Sequence, residues 1–395
     1  MLGSGTALDP YQVATASDLN DVRNDLGAYY IQMNDIDLSG YANWEPIAYS
    51  ADKDIDPIFF HGTYDGNNFK ITGLQINQPT YDNGVGLFSC VDGTAEFKNI
   101  TLENVFIENA IYCGALLGWS EYSKYTQGGW VNPKNTNITV TNCHSSGTIS
   151  GTEGLGGLLG PIGGISVNIS ECSSSCDITS SEENYLYYLN LGGLISMIST
   201  DGSSEQIVSK CFATGDVISN CENSLACGGL IGAVYGYDEG YNFTVQNSYA
   251  RGNVTATGLS GGLIGECMLA DIINCYSTGL VSFYEGGTED EYYILGGLIG
   301  TTEDGVYEVS VSSSYYDYET SVQADNIGLG TPKTTAEMKT LGTFIDWDFI
   351  SIWILDSGND GYPHFFGGGS LANFEVYDWH QSAMTQCSMV GINIP

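Results

Sequence analysis

The sequence predicts an all-β solenoid. Three observations carry this expectation: a Gly-Gly-Leu-Ile-Gly core written seven times with variations, a second cysteine-bearing segment alternating with it, and short apolar–polar alternation around both. The 395 residues exceed what one globular core ordinarily serves, and a repeat array explains that length without separate domains.

The first core is Val85-Gly86-Leu87-Phe88-Ser89, and the second is Gly114-Ala115-Leu116-Leu117-Gly118. Gly156-Gly157-Leu158-Leu159-Gly160 and Gly192-Gly193-Leu194-Ile195-Ser196 follow, and three identical cores centre on Leu230, Leu263 and Leu298. The central leucines are 29, 42, 36, 36, 33 and 35 residues apart. A period that varies about one length fits stacked turns that carry insertions.

The second segment reads Cys143-His144-Ser145-Ser146-Gly147-Thr148-Ile149, then Cys211-Phe212-Ala213-Thr214-Gly215-Asp216-Val217, then Cys275-Tyr276-Ser277-Thr278-Gly279-Leu280-Val281. Ser248 stands for the cysteine in one copy, and Cys172 opens a degenerate one in which Cys176 replaces the glycine. One repeat alone cannot bury its Leu and Ile; stacked turns can, at roughly 1.5–3 kcal/mol for each buried side chain. The paired glycines fit a corner where the backbone turns sharply or two chain segments approach closely. Spacing alone leaves open whether a repeat is one long turn or two short ones.

Eleven cysteines without a CxxC pair argue against a zinc site. Their recurrence at one repeat position predicts a buried column of free thiols rather than a disulfide framework. Ten basic residues face 47 acidic ones, for a net charge of −37. Such a chain lacks the Lys/Arg clusters that neutralise phosphates, which excludes nucleic acid and anionic membrane as partners. No apolar run reaches membrane-spanning length, and Met1 to Gly5 shows no leader of the usual pattern.

The alternating cores and cysteine segments resemble the GLUG-repeat family of bacterial and archaeal surface proteins, with viral members. The entry segment Gly3 to Val13, then Asp35-Ile36-Asp37-Leu38-Ser39 and Gly62-Thr63-Tyr64-Asp65-Gly66-Asn67, match the same pattern. So do Tyr315-Tyr316-Asp317, Lys333 to Lys339, Trp347-Asp348-Phe349 and Gly361-Tyr362-Pro363. The resemblance covers roughly residues 3–366 and implies a right-handed parallel β-helix, usually displayed outside the cell, with no fixed activity. On this reading residues 1–80 form an entry segment and cap, 81–325 the repeats, 326–366 a closing cap and 367–395 a docking or oligomerisation tail.

The ends should carry short capping helices. Ser17 is the expected N-cap of a helix that places Leu19, Val22 and Leu26 on one face, and Thr334 with Glu337 has capping-box spacing. After Phe366, the Gly367-Gly368-Gly369-Ser370 run reads as a hinge, and Trp379 beyond it as a docking anchor.

No catalytic residue is nominated. None of the four histidines forms HExxH, and His144 occupies an aromatic repeat position. The acidic runs Glu182-Glu183, Asp238-Glu239 and Glu289-Asp290-Glu291 lie between core motifs and read as solvated loops. No cofactor is expected; surface calcium is left open. The Asp356–Gly361 stretch lacks the distal glutamate of a calcium loop and reads as a turn.

Aromatic insertions are the functional lead, because Tyr and Trp on loops give rigid amphipathic contact surface. The nominated binding residues are Trp119, Tyr122, Tyr125 and Trp130, then Tyr235, Tyr237 and Tyr241, with Trp379 in the tail. The expected function is non-enzymatic and external: a virion fibre, spike or decoration component, or a cell-surface adhesin, with the thiols and unseen leader favouring the virion. Expected partners are a host-surface glycan or protein, or neighbouring subunits, homo-oligomers included. The rival is a polysaccharide-degrading β-helix enzyme, which needs converging carboxylates in a groove.

Overall fold

The computed structural model describes residues 1–49, 58–77, 84–120, 124–126, 129–131, 136–180, 190–200, 204, 206–220, 226–236, 243–284, 294–302, 309–324 and 329–366. It divides into two compact units, Met1–Lys333 and Thr334–Pro395.

The first unit is a parallel β-helix. One strand column runs through it from Tyr11–Val13 to Val309–Ser312, and every pairing along it is parallel. Register aligns Tyr11, Tyr30, Tyr64, Phe97, Val140, Ile169, Val208, Val245, Ile272 and Val311. All but the two end members are buried, so the core is aromatic in the early turns and aliphatic in the later ones. Segment 1–80 thus supplies strands of its own to the same column.

Each repeat is one long turn. The turn spanning 206–236 contains Gln206–Ser209, Phe212–Ala213, Val217–Ser219, Ala226–Gly228 and Ile231–Gly236, and each of these pairs with its counterpart one repeat later. The core motif and the cysteine segment are therefore two stretches of a single circuit. Leu158, Leu194, Leu230, Leu263 and Leu298 form an inward column, all fully buried. Each of the first four leucine N–H groups donates to the next leucine's carbonyl at 2.8–2.9 Å. This is the stacking that the repeated spacing predicted.

The cysteine column is equally regular. The residue before each cysteine or its substitute is left-handed: Asn142, Glu171, Lys210, Asn247, Asn274 and Ser313 have φ between 44° and 57°. Asn tolerates that region best, which explains its frequency there. The thiol that follows closes the corner. Cys143, Cys172, Cys211 and Cys275 donate to the carbonyl two residues back at 3.2–3.4 Å, and Ser248 and Ser314 do so at 2.8 and 2.9 Å. Among the described residues, nine cysteines are buried and none forms a disulfide. Beside this column the rings of Phe212, Tyr249 and Tyr276 stack at 4.9 Å, within 7° of parallel.

Short helices lie near both ends of the chain. The first is Ala16–Asn20, and its N-cap is Thr15 rather than Ser17. Thr15 Oγ1 accepts from Asp18 N while Asp18 Oδ2 accepts from Thr15 N, a capping box that Ser17 could not build because Asn20 stands three residues on. Leu19 and Val22 are buried as expected, although Val22 belongs to a following 3-10 turn, Asp21–Asn24. At the far end of the unit, helix Tyr318–Ser321 is tied to the preceding turn through Thr320 Oγ1, which donates to Thr278 O at 2.7 Å.

The second unit opens with helix Thr335–Met338, capped by the Thr334–Glu337 box. Phe344, Trp347, Trp353 and Phe365 pack together, and Trp353–Ile354 pairs antiparallel with His364–Phe365. Asp356 caps a 3-10 turn, Ser357–Asn359, and its carboxylate meets His364 Nε2 at 2.8 Å, so the acidic stretch is a turn.

Candidate binding crease

At the Gly-Gly-Leu-Ile-Gly corner the entering and leaving strands meet at close backbone approach, a crease in the chain path whose wall residues are mostly buried. Register stacks Gly114, Gly156, Gly192, Gly228, Gly261 and Gly296 along its floor. A methyl group on Gly228 would lie 1.8 Å from Ile231 O and 2.8 Å from Gly265 N. Close backbone approach therefore demands these glycines; Gly228 does not have a positive φ.

One wall is the strand entering the corner. Its outward column contains Tyr112, Gly154, Asn190, Ala226 and Leu259, each one residue before a core-facing partner in the ladder. The other wall is the strand leaving the corner, where Trp119, Pro161, Met197, Ala233, Glu266 and Thr301 share one position, and Ser199, Tyr235 and Met268 another. Ala226, Ala233 and Tyr235 form an apolar cluster separate from the main core, with Met197, Leu259 and Met268 packed against it.

Two tyrosine–glutamate contacts mark the crease. Tyr235 OH donates to Glu266 Oε2 at 2.6 Å. Nearer the first turns, burial raises the carboxyl of Glu153, partly offset by a hydrogen bond from Tyr112. Among the described residues, no three of His, Cys, Asp and Glu come together in a way that could hold a metal ion. His144 bridges Ser173 Oγ at 2.8 Å and Asn142 Oδ1 at 3.0 Å, and burial keeps its imidazole below the usual range. It sits in register with Ser173, Phe212, Tyr249 and Tyr276, the aromatic position expected from sequence.

The nominated residues divide into three groups. Trp119 is half-buried on strand Leu117–Ser120, in the crease wall rather than on a loop. Tyr235 lies on strand Ile231–Gly236 at 8% exposure, so its assignment to an exposed insertion is corrected. The ladder skips Gly232, which changes the side to which later residues point, and simple alternation from the motif misses this. The backbones of Tyr125 and Trp130 pair in a hairpin, Lys124–Thr126 with Gly129–Val131. Tyr122, Tyr237, Tyr241 and Trp379, and the side chains of Tyr125 and Trp130, lie outside the described residues.

Along the chain, the insertions adjoin the ends of the strands that enter and leave the corner. Residues 181–189, 221–225 and 285–293 immediately precede the wall strands or their lead-in at 190, 226 and 294. Residues 121–135, 201–205 and 237–242 follow the opposite wall at Ser120, Thr200 and Gly236.

The class defined by these features is a parallel β-helix. A crystal structure of a Bacteroides ovatus protein, provisionally named an immunoglobulin A1 protease, shares this fold at TM-score 0.59 and 19% identity, over 92% of this chain and 94% of that one. By sequence the chain is 32% identical to a protein of Evansella cellulosilytica, provisionally named a Gly-rich membrane protein, over 92% of this chain and 45% of the relative. It is 27% identical to an immunoglobulin A1 protease of Streptococcus sanguinis over 62% of this chain and 11% of the relative. The chain thus spans less than half the length of these curated relatives. No protein-family model matches it, so the GLUG-repeat resemblance rests on the motifs themselves. Among the described residues no helix is long and apolar enough to cross a membrane.

Proposed function

We propose that this chain is an externally displayed, non-enzymatic β-helix that binds host-surface glycans or proteins, or neighbouring subunits, through the aromatic insertions bordering the crease. The observation that carries this reading is that the insertions attach in sequence at the ends of the corner strands, while the repeated strand positions are committed to stacking. Insertions there can change without disturbing the ladder, which is where binding function ordinarily sits. The similar proteins named above are bacterial, one of them named for a membrane, and this favours a cell surface over a virion.

The glycan-cleaving alternative needs two carboxylates about 5–9.5 Å apart. Glu153 and Glu266 are the carboxylates associated with the crease among the described residues, and they stand three turns apart. At a strand spacing of about 4.8 Å, that separates them by about 14 Å along the axis.

Immunogold labelling of intact cells or particles that produce the protein tests the reading. Label on the outer surface is expected. Label confined to the interior after sectioning would overturn it.

A further inference from the structure

Asn-x-Ser/Thr triplets begin at Asn99, Asn137, Asn168, Asn242 and Asn253. Asn242 lies outside the described residues, and the fold separates the other four by what their side chains already do. Asn99 holds a left-handed corner at φ 56°; its Nδ2 donates to Asp65 Oδ1 at 3.0 Å and its Oδ1 accepts from Asn142 Nδ2 at 3.0 Å. Asn137 is half-buried at the start of strand Asn137–Gly156. Asn253 Oδ1 accepts the Leu280 N–H at 3.0 Å, which ties its amide to the next turn. Asn168 is different. Strand Ser166–Ser170 alternates, with Val167 and Ile169 fully buried and Asn168 exposed between them. Register places Thr139 beside it on one side and Ile207 on the other, short branched side chains that cannot reach across it. Among the described residues, no side-chain hydrogen bond holds its amide.

We infer that Asn168 is an N-glycosylation site, the acceptor for an oligosaccharide carried on a lipid-linked phosphate. Transfer requires the asparagine amide together with the hydroxyl two residues on. The two-residue period of a strand turns both outward. Ser170 is part-exposed, with its Oγ 3.3 Å from Thr141 Oγ1. In the transfer, a bond forms between Asn168 Nδ2 and the anomeric carbon of the first sugar. The bond from that carbon to the lipid phosphate breaks, and the phosphate departs with its electron pair. Nδ2 loses one proton, and nothing is oxidised or reduced. A glycan on this exposed strand position projects into solvent and leaves Val167 and Ile169 packed in the core. At Asn99 the same glycan would crowd the Asp65 and Asn142 contacts that close the corner. The inference rests on the proposed external display, because such transfer belongs to chains bound for the outside.

The test recovers the full chain from the outer surface of the cells or particles that produce it and reads its Asn168 and Asn99 peptides by tandem mass spectrometry. The Asn168 peptide should carry added sugar mass on the amide nitrogen, and the Asn99 peptide should be bare. Ser170→Ala, made by the same producer, should abolish the added mass although Asn168 is kept, and Ser170→Thr should retain it. Added mass that survives Ser170→Ala would overturn the inference, since a modification needing only the asparagine would then explain it. Sugar on Asn99 with Asn168 bare would overturn it as well. A bare Asn168 in protein recovered from the outer surface would sink this site and leave the external display standing. Immunogold label confined to the interior, with Asn168 bare, would sink both.

Discussion

Ser248 Oγ accepts the backbone N–H of Cys211 across adjacent turns at 3.1 Å. Ser314 does the same for Cys275 at 3.0 Å. Hydroxyl and thiol thus perform one task in this column: each closes a left-handed corner by donating to the carbonyl two residues back. The ladder selects a small donor, with sulfur acceptable and unnecessary.

Cys211→Ser should therefore cost about 1 kcal/mol or less in urea unfolding, since size and donor are nearly kept. Cys211→Leu should cost about 1–3 kcal/mol through overpacking. Thiol titration of the denatured, unreduced chain should find at least the nine cysteines described here as free. Finding those sulfurs mostly paired would contradict the column.

Alkaline pH should destabilise the β-helix. Burial pushes the thiols of Cys267 and Cys275 up to about 12, above the ordinary value of 9.0. A raised folded value means that the unfolded chain loses these protons first, so the contribution is fully present below pH 9 and is lost as pH rises toward 12. Melting temperatures measured from pH 8 to 11 should fall progressively above 9. The fall should be shallower in a Cys267→Ala, Cys275→Ser double variant. An identical slope would show that these thiols do not carry the effect.

Gly228→Ala should cost about 3 kcal/mol or more, because its new methyl meets backbone on the facing strand and the wall must open. Gly40→Ala is the control: nothing lies within 4 Å of the added carbon, and its melting temperature should stay close to that of the parent. Equal stability of the two variants would remove the physical basis for the crease.

How much of this was legible in the sequence follows from the same residues. Leu230, Leu263 and Leu298 announce the stack, because side chains repeated at one spacing must share one environment. Asn142, Asn247 and Asn274 mark corners, because few other residues accept φ near 50° without strain. The crease was not legible. It depends on Gly228 touching Ile231 and Gly265, contacts fixed only when the corner angle and the neighbouring turn are both known. Tyr235 was misplaced for a related reason: the skipped pairing at Gly232 breaks the two-residue alternation that would have put it on a strand. Thr15 lost to Ser17 because both are good N-caps, and only Asp18 three residues after Thr15 decides between them.

Attachment is the most direct test of the binding account. The chain and its Tyr122→Ala, Tyr125→Ala, Trp130→Ala triple variant should be titrated onto the same host surface, each with its melting curve. Trp119→Ala is tested separately, because that residue is half-buried in a strand and its truncation also removes packing. The account predicts at least about tenfold weaker attachment of the triple variant, with little change in melting temperature, the outcome when anchoring aromatics of an interface are truncated. Attachment of undiminished strength, in this variant and in a Tyr237→Ala, Tyr241→Ala variant alike, would contradict binding through the insertions and direct attention to Trp379.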